Sequence, residues 1–257
     1  MSFFEIFICI LYGALAGIGT GFAGLSAATF VSPMLVFFLG VDIYEAVCIA
    51  LASDVLASAV SSITYARNKN IEMKKSRALF VGVLIFAIIG SMIAYFISST
   101  KTGNSVLSYW SVLGSIMLGV KFLLEKDDKP KKEIKNSSKL VIPIAALIGF
   151  ICGFQGAGGG LMLLFALTIL LSYDYKTAVG TSVLIMTGTA FIGSLSHALI
   201  YGMPDMKKLA ICSVSALIFA QIAARIANKV KVSTLRKIVA ILLIVSGGAM
   251  LINAFVK

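Results

Sequence analysis

The sequence predicts an all-α integral membrane protein made of two homologous, inverted repeats of about five helical segments each, with short or broken helices at glycine-rich motifs. Two observations support this fold class: a large excess of apolar residues in long runs, and a recurrence of the first half of the chain in the second. Hydrophobic residues make up 59% of the 257 residues and charged residues only 13%. A soluble domain is nearer about half apolar and about a quarter charged, so the surplus apolar surface requires lipid.

Apolar runs follow one another along the chain, and most are long enough to cross roughly 30 Å of hydrocarbon. They are Phe3–Gly21, Ala27–Gly40, Ala46–Ala66, Ala78–Ser98, Ser105–Leu124, Leu140–Gly156, Gly160–Leu171, Ala178–Tyr201, Leu209–Ala227 and Leu235–Val256. Two of them, Ala27–Gly40 and Gly160–Leu171, fall short of the roughly 20 residues that a full span takes. A charged linker, Glu125–Lys139, divides the chain into a first membrane repeat (1–124) and a second (140–257).

The two halves share residues at matching positions. A shift of 132 positions places Gly17 on Gly149, Gly21 on Gly153 and Gly24 on Gly156. The same shift places Asp42 on Asp174. An internal duplication of this size in an apolar chain is typical of secondary transporters.

Basic residues orient the halves. If the first two runs of each half enter and leave on one side, the linker and the Arg67–Arg77 and Asn228–Lys237 loops can all be cytoplasmic. The basic residues that remain outside are then Lys101, Lys207, Lys208 and Lys257. This assignment inverts the second half relative to the first and places both termini outside.

Composition and spacing exclude several other classes. The net charge of +11 lies at segment ends and forms no aromatic-interleaved basic face, so we expect no nucleic-acid partner. The four cysteines show no CxxC spacing, which indicates neither a metal site nor a disulfide framework, and we expect no cofactor. One membrane aspartate and one distant histidine supply no catalytic motif, so the protein is not expected to be an enzyme. The expected location is the cell (plasma) membrane with several spans, and a homodimer is left open.

The run Gly149–Gly160 is the most informative stretch. Its glycines break a helix between two apolar runs, and free backbone at membrane depth is tolerated only inside protein or beside a wet cavity. The break exposes N–H groups at the start of Gly160–Leu171, where the helix dipole favours an anion. Tight helix packing through small residues is the alternative interpretation. The counterpart in the first half, Gly21–Ala28, contains Ser26 but lacks the triple glycine Gly158, Gly159 and Gly160.

Other polar residues of the apolar runs are candidates for the same site. Gln155, Thr181 and Ser182 could donate hydrogen bonds to an anion, or could equally bond neighbouring helices. Asp54 lies in the middle of an apolar run, where an ionisable group is costly and is a functional candidate by default. We consider both proton coupling and capping of a helix break for Asp54, and Met186 at the equivalent place favours capping. His197 is expected to pack at the external interface, and Arg225 to belong to the cytoplasmic basic rim.

Five features of the second half form a recognisable set: the glycine motif at 156–160, Ala-Val-Gly-Thr-Ser at 178–182, Ser-Leu-Ser-His at 194–197, Gly202, and the small-residue block ending at Arg225. Together they resemble the second repeat of the TauE/SafE sulfite-exporter family. The resemblance implies transport of small sulfur-containing anions, sulfite or C2–C3 organosulfonates. The first half departs from the pattern, since Ser26-Ala27-Ala28 replaces the glycine triplet and Ala46–Ala50 lacks the hydroxyls of 178–182. We therefore expect the second half to contribute more of the anion site.

Three functions stay open at this stage. The leading one is export of such an anion, because an inside-negative potential favours efflux of a monoanion by about 2.3 kcal/mol per 100 mV. The second is a permease that takes up a related organic anion together with a proton through Asp54. The third is a membrane assembly protein that transports nothing, which would not need the glycine breaks.

Overall fold

The computed structural model describes residues 1–98 apart from 27, 29 and 30, residue 120, residues 137–231 apart from 156–158, and positions 233, 234, 237, 240, 241 and 244. Within these ranges the regular elements are helical and no strand occurs. The helices are α1 (Phe3–Ala23), α2 (Val31–Leu39), α3 (Ile43–Arg67), α4 (Arg77–Ser98), α5 (Ser137–Gln155), α6 (Gly160–Leu170), α7 (Tyr175–Tyr201) and α8 (Met206–Ala227). The predicted runs Ser105–Leu124 and Leu235–Val256 lie outside the described residues except at isolated positions.

Helix lengths follow the predicted division into long and short segments. Among the described residues, four helices, α1, α3, α7 and α8, are long and apolar enough to cross a membrane. Shorter apolar helices occupy Arg77–Ile93 in α4 and Leu140–Phe154 in α5. Helices α2 and α6 have only 9 and 11 residues, which correspond to about 14 and 17 Å at 1.5 Å per residue. Helix α5 begins at Ser137, inside the predicted linker.

The aspartates that the repeat aligns have the same local function. Asp42 precedes α3 and its side chain accepts a hydrogen bond from the Tyr44 N–H at 2.9 Å. Asp174 precedes α7 and accepts from the Thr177 N–H at 3.1 Å. Each carboxylate satisfies an N–H group that has no partner inside the helix. The repeated aspartate therefore marks the start of the third helix in each half.

The helices of one half pack mainly against helices of the other. Glycines set the closest approaches: Gly13, Gly17 and Gly21 of α1 face α8 at Cys212, Ala216 and Ala220 in turn. Gly149 and Gly153 of α5 face α4 at Val83 and Ala87. Because the order along both partners is the same, α1 is parallel to α8 and α4 is parallel to α5. The first helix of each half thus pairs with the fourth helix of the other.

The third helices of the two halves, α3 and α7, pack against each other in antiparallel fashion. The rings of Tyr44 and Tyr201 stack with centroids 4.0 Å apart at one end. Thr187 Oγ1 donates to Ser58 Oγ at 2.9 Å near the middle. Tyr65 approaches Gly180 at the other end. Contact positions that rise in number along α3 therefore fall in number along α7, so the two helices are antiparallel.

Charge is distributed unequally between the two ends of the bundle. Hydrogen bonds join the loop after α3 to the ends of α7 and α8: Asn70 Nδ2 donates to Asn228 Oδ1 at 2.7 Å, and Lys176 Nζ donates to Asn228 O at 2.7 Å. This end, called the basic end below, carries the basic residues Arg67, Lys69, Lys74, Lys75, Arg77, Lys176, Arg225, Lys229 and Lys231 and the acidic residues Glu72 and Asp174. The opposite end, called the Tyr44 end, carries Asp42, Glu45, Asp205, Lys207 and Lys208.

Candidate functional site

The two glycine breaks meet in the interior of the protein. Helix α1 ends at Ala23 and is capped by Gly24, which has a φ of 65° and whose N–H donates to Thr20 O at 2.9 Å. Helix α6 is preceded by Gly159, which has a φ of 70°. The carbonyl of Gly24 lies so close to Gly160 that a Cβ atom on Gly160 would overlap with it. A break from the first half is therefore packed directly on the helix start of the second, and only glycine permits this approach.

Two serines, one from each half, lie at this junction. Ser26 Oγ donates to Asp54 Oδ2 and accepts from the Ala28 N–H at 3.2 Å. Ser182 of α7 lies beside Gly24, because its Oγ is 2.9 Å from the position that a Cβ atom on Gly24 would occupy. The Ser182 hydroxyl donates to Val179 O at 2.8 Å. Both serines are buried. The junction therefore has buried hydroxyl groups from both halves beside the non-helical backbone of Gly24 and Gly159.

Asp54 joins helix α3 to the break after α1. Its side chain is fully buried and accepts the Ser26 hydroxyl. One turn further along α3, Ser58 Oγ donates to the Asp54 carbonyl and accepts from Thr187 of α7. Met186, the residue equivalent to Asp54 in the second half, places its Sδ against Gly160. The two equivalent residues therefore contact equivalent breaks. The carboxyl group of Asp54 bonds the break of the first half, and the thioether of Met186 packs on the break of the second half.

The helix start at Gly160 supplies the electropositive part of the junction. The first N–H groups of an α-helix have no acceptor inside the helix, and the dipole of the helix adds partial positive charge there. The first intrahelical bond of α6 runs from the Leu163 N–H to Gly159 O at 2.9 Å. Lysine and arginine are absent from residues 1–66 and from residues 140–175. An anion at this junction would therefore meet backbone and hydroxyl donors from these segments.

The structure brings together Ser26, Gly159, Gly160, Ser182 and Asp54 among the sequence-predicted site residues. Gly158 and the side chain of Gln155 lie outside the described residues. Thr181 serves a different region, since its Oγ1 accepts from the Glu72 N–H at 3.0 Å in the loop at the basic end.

Two further residues of interest lie towards the ends of the bundle. His197 Nδ1 lies 2.9 Å from Gly193 O, and its ring centroid is 5.8 Å from that of Tyr201, at the Tyr44 end. Arg225 lies near the basic end, where its guanidinium bonds the amide oxygen of Gln221 at 2.9 and 3.1 Å.

Two residues at the junction, Tyr65 and Ser58, are not singled out by the sequence. Gly24 is a repeated position in the sequence, but its contact with Gly160 depends on the packing of the two halves. Tyr65 Oη donates to Gly21 O at 3.0 Å and so satisfies a carbonyl at the end of α1. Ser58 completes the connection between Asp54 and α7. A hydroxyl one helical turn after the membrane aspartate is a signal that could have identified Ser58.

Comparisons with known proteins identify the family of this chain. The family model described as "Sulfite exporter TauE/SafE" matches residues 9–250. The chain is 25% identical over 253 residues to the probable membrane transporter protein YunE of Bacillus subtilis, covering 91% of this chain and 90% of that protein. It is 24% identical over 228 residues to the probable membrane transporter protein YdhB of the same species, covering 86% and 90%.

A third relative comes from another organism. A probable membrane transporter protein of Xylella fastidiosa is 27% identical over 210 residues, covering 77% of this chain and 76% of that protein. No solved structure gives a significant match. The matched region contains both glycine breaks, all eight described helices beyond the first residues of α1, and the linker. The chain is a multi-pass membrane protein that belongs to the TauE/SafE family of membrane transporters.

Proposed function

We propose that this protein transports small sulfur-containing anions, either sulfite or C2–C3 organosulfonates, through a site where the two glycine breaks meet. The observation that carries the proposal is the contact between the Gly24 carbonyl and Gly160. It brings an irregular segment from each half to one place inside the bundle. Irregular backbone at membrane depth is tolerated where it is buried in protein or lines a cavity, and transporters bind substrates at such breaks near the bilayer midplane.

The donors of this site suit a tetrahedral or pyramidal oxyanion. The N–H groups at the start of α6, with Gly159 and Gly160, would face the anion, and Ser182 and Ser26 would add hydroxyl donors. The sequence also predicts Gln155 and Thr181 as binding residues, but Thr181 Oγ1 accepts the Glu72 N–H at the basic end, so we leave Thr181 out of the proposed site. Hydrogen bonds to a charged group contribute about 1.5–3 kcal/mol each. A few such donors are sufficient for a substrate that must also be released.

We also propose that the two halves are inverted repeats. The antiparallel packing of α3 on α7, which are equivalent helices, supports this arrangement. The exchange of partners between α1–α8 and α4–α5 supports it as well. Inversion gives the site equivalent surroundings towards both sides of the membrane, which is the basis of alternating access in transporters with this type of repeat.

The direction of transport depends on whether the anion moves alone or together with a proton. If the anion moves alone, an inside-negative potential drives its export by about 2.3 kcal/mol per 100 mV for a monoanion. Proton-coupled uptake of a related organic anion is the second candidate, and the hydrogen bond between Ser26 and Asp54 favours it. The two candidates share the same site and differ in whether a proton accompanies the anion.

Flux into liposomes tests the proposed substrate class. Purified protein should transport sulfite or a short sulfonate with a rate that saturates with concentration. Ser182→Ala removes a hydroxyl beside Gly24, so the apparent affinity for the anion should fall about ten- to a hundredfold, as expected for one charged hydrogen bond.

Ser213→Ala is the matched control, because Ser213 is also a buried serine but bonds Ser53 at 3.2 Å, away from the breaks. Its flux should equal that of the wild type. Absence of anion flux in well-folded wild-type protein would contradict the proposal and would favour an assembly protein that transports nothing.

A further inference from the structure

We propose that Ser61 of α3 is a further anion-contact residue, whose hydroxyl donates a hydrogen bond to the transported anion. This inference rests on the proposed function and adds to its site a residue that the sequence motifs do not indicate. Three observations carry it. The hydroxyl is buried without a hydrogen-bond partner among the described residues, it differs in this respect from the other hydroxyls of its helix, and it lies on the face of α3 that borders the first break.

The Ser61 hydroxyl is a buried group whose hydrogen bond is not made within the protein. The side chain is fully buried, and its Oγ has no hydrogen-bond partner in the part of the chain that the structure describes. Nearly all buried polar groups of native proteins are paired, because a buried group without a partner has lost its bonds to water and gained none in return. A ligand that binds beside Ser61 can supply the missing partner.

The other hydroxyls of α3 show how a buried serine is ordinarily satisfied in a helix. A serine or threonine can donate to the carbonyl three or four residues earlier in its own helix. The remaining serine and threonine residues of α3 all do so: Ser53, Ser58, Ser62 and Thr64 donate to the carbonyls of Ile49, Asp54, Ala59 and Val60. Ser61 bonds neither of the corresponding carbonyls. The hydrogen of Ser61 is therefore not used within its own helix.

Ser61 lies on the face of α3 that borders the first break. Asp54, Ser61 and Tyr65 are spaced by seven and four residues, which places them on one side of the helix. At one end of this row the Asp54 side chain bonds Ser26. At the other end Tyr65 Oη donates to Gly21 O at 3.0 Å. The row thus runs alongside the chain from Gly21 to Ser26, and Ser61 stands between its two ends.

Helix α7 brings the second half to the same stretch of α3. Its contacts with Ser58 and Tyr65 lie on either side of Ser61 along α3. The α7 residues between those contacts include Val183, whose Cγ2 is 3.1 Å from the position that a Cβ atom on Gly24 would occupy. Gly24 belongs to the contact between the two breaks. Ser61 therefore lies where α7 and the first break meet.

Ser61 differs from Ser182 in what it gives up when it donates to an anion. A serine hydroxyl has one hydrogen, and that of Ser182 is donated to Val179 O, so Ser182 must exchange one bond for another. Ser61 breaks no bond to the described residues. It also lies seven residues from Asp54, about 10 Å along the helix axis, so an anion there is repelled less by an ionised carboxylate than one beside Asp54.

Calorimetric titration of the purified protein tests this assignment. The probes are sulfite and 2-hydroxyethanesulfonate, and the expected changes refer to whichever of them the wild type binds. Ser61→Ala removes the donor, so the dissociation constant should rise about tenfold or more, as expected for the loss of a hydrogen bond to a charged group. Ser62→Ala is the matched control, because Ser62 is a neighbouring buried serine that donates to Ala59 O at 2.8 Å. Its dissociation constant should equal that of the wild type.

Thermal unfolding in detergent without the anion gives an independent measurement. Ser61→Ala removes a hydroxyl that has no partner among the described residues, so its unfolding temperature should equal or exceed that of the wild type. A serine that serves only the fold would give the opposite combination, a lower unfolding temperature with an unchanged affinity. Ser61→Cys keeps a similar shape but donates only weakly, so it should also weaken binding, and it replaces the alanine variant if that variant does not fold.

The outcomes distinguish this inference from the proposed function. Equal affinity of Ser61→Ala and the wild type would overturn the inference and leave the proposed function in place. A comparable loss of affinity in Ser62→Ala would overturn it too, since the effect would then not depend on the Ser61 hydroxyl, and so would a lower unfolding temperature of Ser61→Ala without the anion. Failure of the wild type to bind sulfite or any short sulfonate would overturn the proposed function itself.

Discussion

Neighbouring residues of α7 serve different parts of the protein. Thr181 accepts the Glu72 N–H at 3.0 Å and so holds the loop at the basic end. Ser182, the next residue, lies against Gly24 at the junction of the breaks. Both are fully buried. The two hydroxyls therefore have separate functions, although they stand side by side in the sequence.

A side chain is excluded at Gly159 and at Gly160 for different physical reasons. Gly159 has a φ of 70°, so any side chain there is strained by the backbone, and a Cβ atom would meet Cys152 Sγ. Gly160 is helical, and its restriction comes from the Gly24 carbonyl. A substitution of Gly159 consequently tests the backbone conformation, whereas a substitution of Gly160 tests the contact between the halves.

Asp205 gives a prediction about pH at the residue scale. Its side chain accepts from the Lys207 N–H at 2.8 Å and the Lys208 N–H at 3.4 Å. The Lys207 N–H, with a smaller contribution from Lys208, holds the pKa of Asp205 below its ordinary value, although partial burial opposes this. The folded-state pKa is thus below the unfolded one. The stabilisation is present above the unfolded pKa of about 4 and is lost as pH falls through the folded pKa.

Thermal unfolding in detergent from about pH 7 down to about pH 3 measures this contribution. Asp205→Ala should destabilise the protein by about 1 kcal/mol at neutral pH because the cap of α8 is lost. Asp205→Asn should keep most of the cap, and its loss of stability in acid should be smaller than that of the wild type. An acid decline of equal size in Asp205→Asn would contradict this assignment.

Helix pairs depend on rows of small residues. Gly13, Gly17 and Gly21 are spaced four residues apart on α1 and place its backbone against that of α8. The facing residues Ala216 and Ala220 are also small. Without a hydrophobic driving force between helices in lipid, such close van der Waals packing is a main source of association. The same arrangement recurs between α4 and α5, which explains why the matching glycines of the repeat are Gly17 with Gly149 and Gly21 with Gly153.

Gly17→Ala tests the α1–α8 pair. A Cβ atom there would overlap with the Ala216 carbonyl and would lie 2.8 Å from Ala220 N, so the helices must move apart. Over-packing of this kind costs about 1–3 kcal/mol. We expect a lower unfolding temperature in detergent.

Gly193→Ala is the control for this substitution, since its Cβ atom would meet only the end of the Leu51 side chain at 3.1 Å, which can rotate. Its unfolding temperature should stay near that of the wild type. If both alanine variants unfold at the same temperature, close helix approach is not what stabilises this pair.

On the scale of the whole molecule, the distribution of basic residues indicates which end of the bundle faces the cytoplasm. The basic end gathers loops that are distant in the sequence, after α3, before α7 and after α8. The Tyr44 end carries the starts of α3 and α8, with Glu45 Oε1 accepting the Asp205 N–H at 3.0 Å. Because cytoplasmic loops are enriched in lysine and arginine, we infer that the basic end faces the cytoplasm. The linker Glu125–Lys139 is predicted to lie on the same side.

Cysteine labelling in intact cells tests this orientation. The four native cysteines are buried, so they should react slowly with a membrane-impermeant reagent. Met203→Cys, at an 81% exposed position before α8, should be labelled from outside. Lys229→Cys, exposed at the basic end, should be labelled only after permeabilisation. The reverse pattern would contradict the proposed topology.

The sequence by itself determined the membrane class, the division into long and short helices, the glycine breaks and the family. These features are local: hydropathy depends on a run of neighbouring residues, and a glycine run weakens a helix wherever it occurs. The boundaries of α1, α3, α4, α7 and α8 accordingly lie within a few residues of the predicted runs. The repeat was visible for the same reason, since glycines and aspartates are conspicuous in an apolar chain.

Only the tertiary structure decided which residues share the candidate site. Successive residues of a helix are rotated by about 100°, so the pattern Thr181-Ser182 contains no information on which hydroxyl faces the break. The contact of Gly24 with Gly160 and the bond of Ser26 to Asp54 depend on how helices of the two halves pack. That packing is set by close approaches between residues more than a hundred positions apart, and such approaches are a property of the folded chain.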